Sequence, residues 1–260
     1  MESGTIPAVE EDRRTSSARV LLASPMQKVI FPLLSSTYQT TVPVADRADL
    51  EALTPNSLMF DVAIVDLLWG SVEAPPDIDG LDVIDHLEET GRVASILVAV
   101  HGQHFERDFL HEAVSRPLVR GAVFKAGGVA PVLDAVEVLA RGQSWFPPTL
   151  PDRLFDRNRL TIDSWFRSRP LVAHVAGAIA SHRANSWASI AEVTSYQRTT
   201  VESSPRLFGE ALYRLGEVND PDEVNQAVVF RWVGERAAYI LSWCRRNGMG
   251  HYRREPITGG

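Results

Sequence analysis

Two residues of opposite charge stand at the ends of two apolar runs. Residues 60–66 read FDVAIVD and close on Asp66; residues 121–124 read GAVF and are followed by Lys125. Short, nearly continuous apolar runs are the pattern of strands covered on both faces. In one parallel sheet the C-terminal strand ends share a crevice, so Asp66 and Lys125 would meet there. A carboxylate beside an ammonium in a crevice can accept a phosphoryl group, hold an ion pair or bind a small ligand. Phosphoryl transfer to aspartate also needs a divalent cation, and magnesium takes carboxylate and water oxygens.

The elements that must position this pair follow from periodicity. Apolar runs at 19–23, 40–44, 60–66, 95–100 and 121–124 alternate with helical patterns at 26–36, 46–54, 79–90, 104–115 and 129–141. Strands alternating with helices predict an α/β fold, a (βα)5 doubly wound parallel sheet with helices on both faces.

The stretch RGAVFKAGGVAPVLDAVEVLARGQSWFPP over 120–148, together with FDVAIVD, resembles the receiver domain of bacterial response regulators, especially the NarL/LuxR-like branch. The resemblance spans residues 18–148. It implies a flavodoxin-like receiver in which Asp66 is the phosphoacceptor and Lys125 its partner. Three departures qualify that implication. Ser24 and Pro25 stand where receivers carry the acidic pair that holds magnesium. Val100 replaces the hydroxyl residue at the end of the fourth strand. The loop LLWGSVEAPPDIDG after Asp66 is longer than usual, so it is expected to overhang the crevice with Trp69 as a cover. The expected site is therefore vestigial, an Asp66–Lys125 pair with no metal and no cofactor, free to bind another ligand or a protein partner.

Beyond the receiver, 142–160 holds Pro147, Pro148 and Pro151 and reads as a linker. Residues 161–247 read as an all-α domain with helices at 162–181, 186–193, 199–215 and 221–247. Within it, SWASIAEVTSYQRTTV resembles a helix-turn-helix, with Ser195, Tyr196 and Gln197 as the turn. That resemblance implies binding of double-stranded DNA, with Gln197, Arg198 and Thr200 reading bases and Thr199, Ser203, Ser204 and Arg206 holding phosphates. Pro205 either interrupts the second helix or starts a new one after Ser204. The last helix carries Trp232 and Trp243 on one stripe and is expected to build a two-fold seam in a homodimer.

Charge is uneven. Residues 1–150 hold 11 Lys and Arg against 21 Asp and Glu; residues 151–260 hold 15 Arg against 12 acids. An acidic half joined to a mildly basic one fits a regulatory module on a nucleic-acid-binding module. No apolar run is long enough to span a bilayer, and the N-terminus lacks a signal-peptide core. Residues 1–17 and 248–260 read as tails. The lone Cys244 suits the cytoplasm and is expected to be packed and inert. His101, His104 and His111 read as surface residues. No phosphate-binding glycine loop or nucleophile motif points to an enzyme. The reading is thus a cytoplasmic, dimeric DNA-binding transcription regulator of atypical response-regulator type, acting without phosphorylation. Two alternatives stay open: a protein-binding adaptor that never touches DNA, and an RNA-binding antiterminator.

Overall fold

A computed structural model describes residues 16–252, apart from 26, 55, 57, 71–76, 152, 153, 155, 157 and 158. Five parallel strands, β1 (Ser16–Ala23), β2 (Tyr38–Val44), β3 (Phe60–Asp66), β4 (Val93–Val100) and β5 (Val119–Phe124), form one sheet in the order β2-β1-β3-β4-β5. This is the doubly wound order shared by flavodoxin and receiver domains, whose winding reverses between β1 and β3. Asp66 lies opposite Ala99, and Val100 opposite Phe124. The register therefore brings the residues just past four strands to one edge.

Alternate strand residues feed two cores, as period-two pleating requires. Val20, Leu22, Val62, Ile64 and Leu97 face α1 (Gln27–Thr37) and α5 (Ala130–Ala140). Leu21, Ala63, Val65, Ile96 and Val98 face α2 (Arg47–Glu51), α3 (Gly80–Thr90) and α4 (Arg107–Ser115). The second core does not stop at the receiver-like half. It runs on into the helices beyond residue 160, where Phe109 of α4 meets Tyr239 edge to face at 5.3 Å.

The expected linker is partly built into the sheet. The Trp145 N–H donates to the Arg120 carbonyl, and the Ala122 N–H donates to the Trp145 carbonyl, each at 2.9 Å. Trp145 so covers the open edge of β5. Leu150 is buried.

The helical half contains α6 (Ile162–Ser168), α7 (Pro170–Ala180), α8 (Trp187–Thr194), α9 (Arg198–Glu202), α10 (Ser204–Leu215), α11 (Gln226–Glu235) and α12 (Ala237–Arg246). Three of the longer helices expected from periodicity are broken. Pro170 and Pro205 each sit in the first turn of a new helix, where the missing N–H costs nothing. The third break falls at Arg236, whose backbone leaves the helical region at φ −113° and ψ 12°. The local signal is Gly234, two residues earlier, a poor helix former. The Arg236 guanidinium reaches Asp108 at 3.3 Å and Glu217 at 2.8 Å, and these partners lie outside its own helix.

α7 is apolar nearly all round and is the buried centre of this half. Around it, Trp165 packs edge to face on Phe208 at 5.2 Å and on Trp232 at 5.7 Å, and Phe166 packs on Trp243 at 5.2 Å. The Trp243 indole donates to Asp163 at 2.8 Å. Both tryptophans assigned to a two-fold seam are thus spent inside the chain, because α6 supplies the aromatic partners first. Met249 and Tyr252, placed by sequence in a tail, are buried; a Cβ on Gly177 would lie 2.7 Å from the Tyr252 ring, so only glycine admits it. Residues 1–15 and 253–260 lie outside the described residues. Cys244 is fully buried, and burial pushes its thiol up to about 12. Among the described residues no helix is long and apolar enough to cross a membrane.

Candidate functional site

Asp66 is 3% exposed at the end of β3. Its Oδ2 accepts from the Ser24 hydroxyl at 2.6 Å and lies 2.9 Å from the Lys125 Nζ. Lys125 also contacts the His101 Nε2 at 3.2 Å. The ends of β1, β3, β4 and β5 therefore deliver Ser24, Asp66, His101 and Lys125 to one small polar crevice. Asp66 and Lys125 meet as expected from their strand ends. Ser24, expected only as a lost metal ligand, binds Asp66 directly, and His101 is exposed as expected while its ring touches Lys125.

These groups do not suit magnesium. Ser24 spends its proton on Asp66, Pro25 offers no side-chain donor, and one Asp66 oxygen already serves two partners. Among the described residues no group of three His, Cys, Asp or Glu is placed to hold a metal. The Val100 side chain is buried and has no hydroxyl to turn toward an acyl phosphate. Acetyl phosphate with magnesium should therefore add no phosphoryl group to the intact chain, as read by whole-protein mass. A stoichiometric gain abolished by Asp66→Asn would contradict this.

Trp69 does not cover the crevice. Its indole donates to the Asp66 backbone carbonyl at 2.8 Å and its ring is buried in the hydrophobic core. An amphipathic ring finds more apolar contact there than over an ion pair. The remainder of the long loop, 71–76, lies outside the described residues. The start of α3 presses on the same carbonyl. A Cβ on Gly80 would sit 2.3 Å from the Asp66 oxygen, and the Gly80 N–H donates to Leu67 at 3.1 Å.

A second constellation, unforeseen from sequence, joins the two halves. Arg245 and Arg246 end α12 and point at acids of α3 and α4. Arg245 Nη2 lies 2.6 Å from Asp79, the residue that caps α3, and Arg245 Nε lies 3.3 Å from Asp82. Arg246 holds Glu112 through two nitrogens at 2.8 and 2.9 Å, and Asp85 at 3.2 Å. Glu112 also accepts from the Tyr239 hydroxyl at 2.7 Å and from Arg116 at 2.8 Å. Burial alone would raise the Glu112 carboxyl, but Arg246, Tyr239 and Arg116 together hold it below the ordinary glutamate value. Burial wins at Asp85 and Asp108, which are both raised despite their arginine partners. His111 is buried rather than on the surface, with its Nε2 3.2 Å from Arg159.

The face expected to bind nucleic acid is assembled by α8, α9 and α10. Ser186 caps α8, and Ser195 closes it in the left-handed region at φ 60°. Val201 is buried on α9, so the opposite side turns outward. Gln197, Arg198, Thr199, Ser203 and Arg206 are exposed and Thr200 is half-buried. The side chain of Ser204 is buried and donates to the Val201 carbonyl, which removes it from the expected phosphate contacts. The Arg198 side chain is 69% exposed and pairs with Glu202 at 2.7 Å, a solvated pair that is easily broken. On α10, Arg206, Tyr213 and Arg214 line an exposed stripe opposite Phe208 and Leu212. Tyr213 was not singled out in the sequence, where its spacing alone did not separate it from core.

Strand order and register define a doubly wound, flavodoxin-like parallel sheet with helices attached. No protein-family model matches the chain, and no curated protein does. Among solved structures, the RcsB response regulator of Salmonella typhimurium aligns at 21% identity over 83% of this chain and 98% of that one, with a TM-score of 0.48. RcsB from Salmonella enterica serovar Typhimurium bound to the promoter rprA aligns at 18% identity over 84% and 98%, with a TM-score of 0.41. An adenylate cyclase from Rhodopirellula baltica aligns at 18% identity over 48% and 89%, with a TM-score of 0.39.

Proposed function

We propose that this chain is a DNA-binding transcription regulator of atypical response-regulator type. It acts as a homodimer in the cytoplasm, without phosphorylation at Asp66 and without enzymatic turnover. One observation carries the reading. A two-helix unit closed by the Ser195 turn buries Val201 and leaves Gln197, Arg198, Thr199 and Arg206 exposed on its other side. Amides and guanidiniums on such a unit suit base edges and phosphates in a major groove. The shortness of α9, five residues, means that the reading surface continues onto α10, where Arg206 and Arg214 add positive charge.

The test is selection of the full chain on a library of duplex fragments at physiological salt. A recurring sequence should be enriched, with affinity at least tenfold above random duplex. Affinity for every fragment weaker than about 10⁻⁴ M would end the DNA reading and leave the adaptor reading in its place.

A further inference from the structure

We propose that the state of the Asp66–Lys125 pair is relayed to the helical half through the start of α3, with Asp79 and Arg245 as the coupling residues. The relay is independent of the DNA-binding reading.

The path is short and made of close contacts. The Asp66 backbone carbonyl meets Gly80 so tightly that no Cβ fits between them. That carbonyl also accepts from Trp69, so it is held from two sides. Gly80 follows Asp79 directly. The Asp79 Oδ1 accepts from the Leu81 N–H at 2.9 Å and its Oδ2 takes Arg245 at 2.6 Å. Asp82 closes the cap by accepting from the Asp79 N–H at 2.9 Å, and it too faces Arg245. Arg47 of α2 approaches Asp82 at 3.6 Å from the solvent side. A shift of Asp66 therefore displaces the first turn of α3, and the Asp79 carboxylate moves with it. Asp79 is buried and Arg245 three-quarters so, and ion pairs in such places depend steeply on geometry. The route usually expected, a hydroxyl at the end of the fourth strand, is closed by Val100. The α3 route uses no group that the crevice lacks.

Hydrogen–deuterium exchange on the full-length chain reads the relay without DNA. Lys125→Ala removes the ammonium from Asp66. Peptides covering α3 and α12 should both exchange about tenfold faster, within the usual range for coupled sites, while α1 and α5 on the opposite face stay as they are. Arg245→Met alone should speed α12, and adding Lys125→Ala should then change α12 no further. Because linkage is reciprocal, Arg245→Met should also loosen the segment that carries Asp66. Acceleration of α3 with α12 unmoved would overturn the proposal. So would an equal Lys125→Ala effect on α12 in the Arg245→Met background. Where Lys125→Ala does not fold, Ser24→Ala, which removes one hydrogen bond, is scored the same way.

Discussion

Glu112→Ala should destabilise the chain by about 3–5 kcal/mol, the cost of stranding a buried charge. Glu112 is 2% exposed and is the acceptor for Arg246, Arg116 and Tyr239 at once. Its loss leaves the Arg246 guanidinium, itself 3% exposed, with Asp85 as the remaining ion-pair partner and the Ser242 hydroxyl at 3.4 Å. For a chain of this size the shift in melting temperature is about 6–20 °C. The pH dependence has a definite sign. The folded carboxyl titrates below its ordinary value of 4.5, so its stabilisation is fully present above pH 4.5 and is lost as pH falls through the depressed value. The stability gap between wild type and Glu112→Gln should therefore narrow on acidification below 4.5. A gap that widens there, or Glu112→Ala within about 1 kcal/mol of wild type, an ordinary surface value, would show that the seam between the halves is not closed in solution.

Gly80→Ala should be nearly as damaging for a different reason. The added methyl would meet the Asp66 carbonyl oxygen at 2.3 Å and the Leu67 Cα at 2.7 Å, both backbone atoms that cannot rotate aside. Overpacking against backbone falls at the upper end of the usual range, about 3 kcal/mol. The displacement should also free the Trp69 indole from Asp66, visible as a red shift of its emission. An unshifted melting curve would mean that α3 does not start against β3 as described.

Much of the sheet was legible because each strand is an apolar run that needs no partner to be recognised. Asp66 and Lys125 stood out because each charge ends such a run. The breaks at Pro170 and Pro205 carry a proline as their signal, since proline fits the first turn of a helix but not its interior. The break at Arg236 carries a weaker signal, Gly234 two residues before it, and the acids that hold the Arg236 side chain lie far away in sequence. Trp232 and Trp243 showed in sequence as apolar bulk, but not whether Trp165 and Phe166 or a second chain would cover them. Arg245 and Arg246 were hardest to place. They look like solvated helix-end residues, and their acids lie more than a hundred positions upstream.

The most direct test of the DNA-binding reading is the salt dependence of binding to the enriched duplex, for wild type and Arg206→Ala. Wild type should lose affinity log-linearly with salt, with a slope of about −0.9 per phosphate neutralised, and Arg206→Ala should flatten that slope by about one unit. Arg198→Ala should instead cost about 1–3 kcal/mol on the enriched sequence and little on random duplex. Identical isotherms for wild type and both variants would contradict the assignment of DNA recognition to the face of α9 and α10.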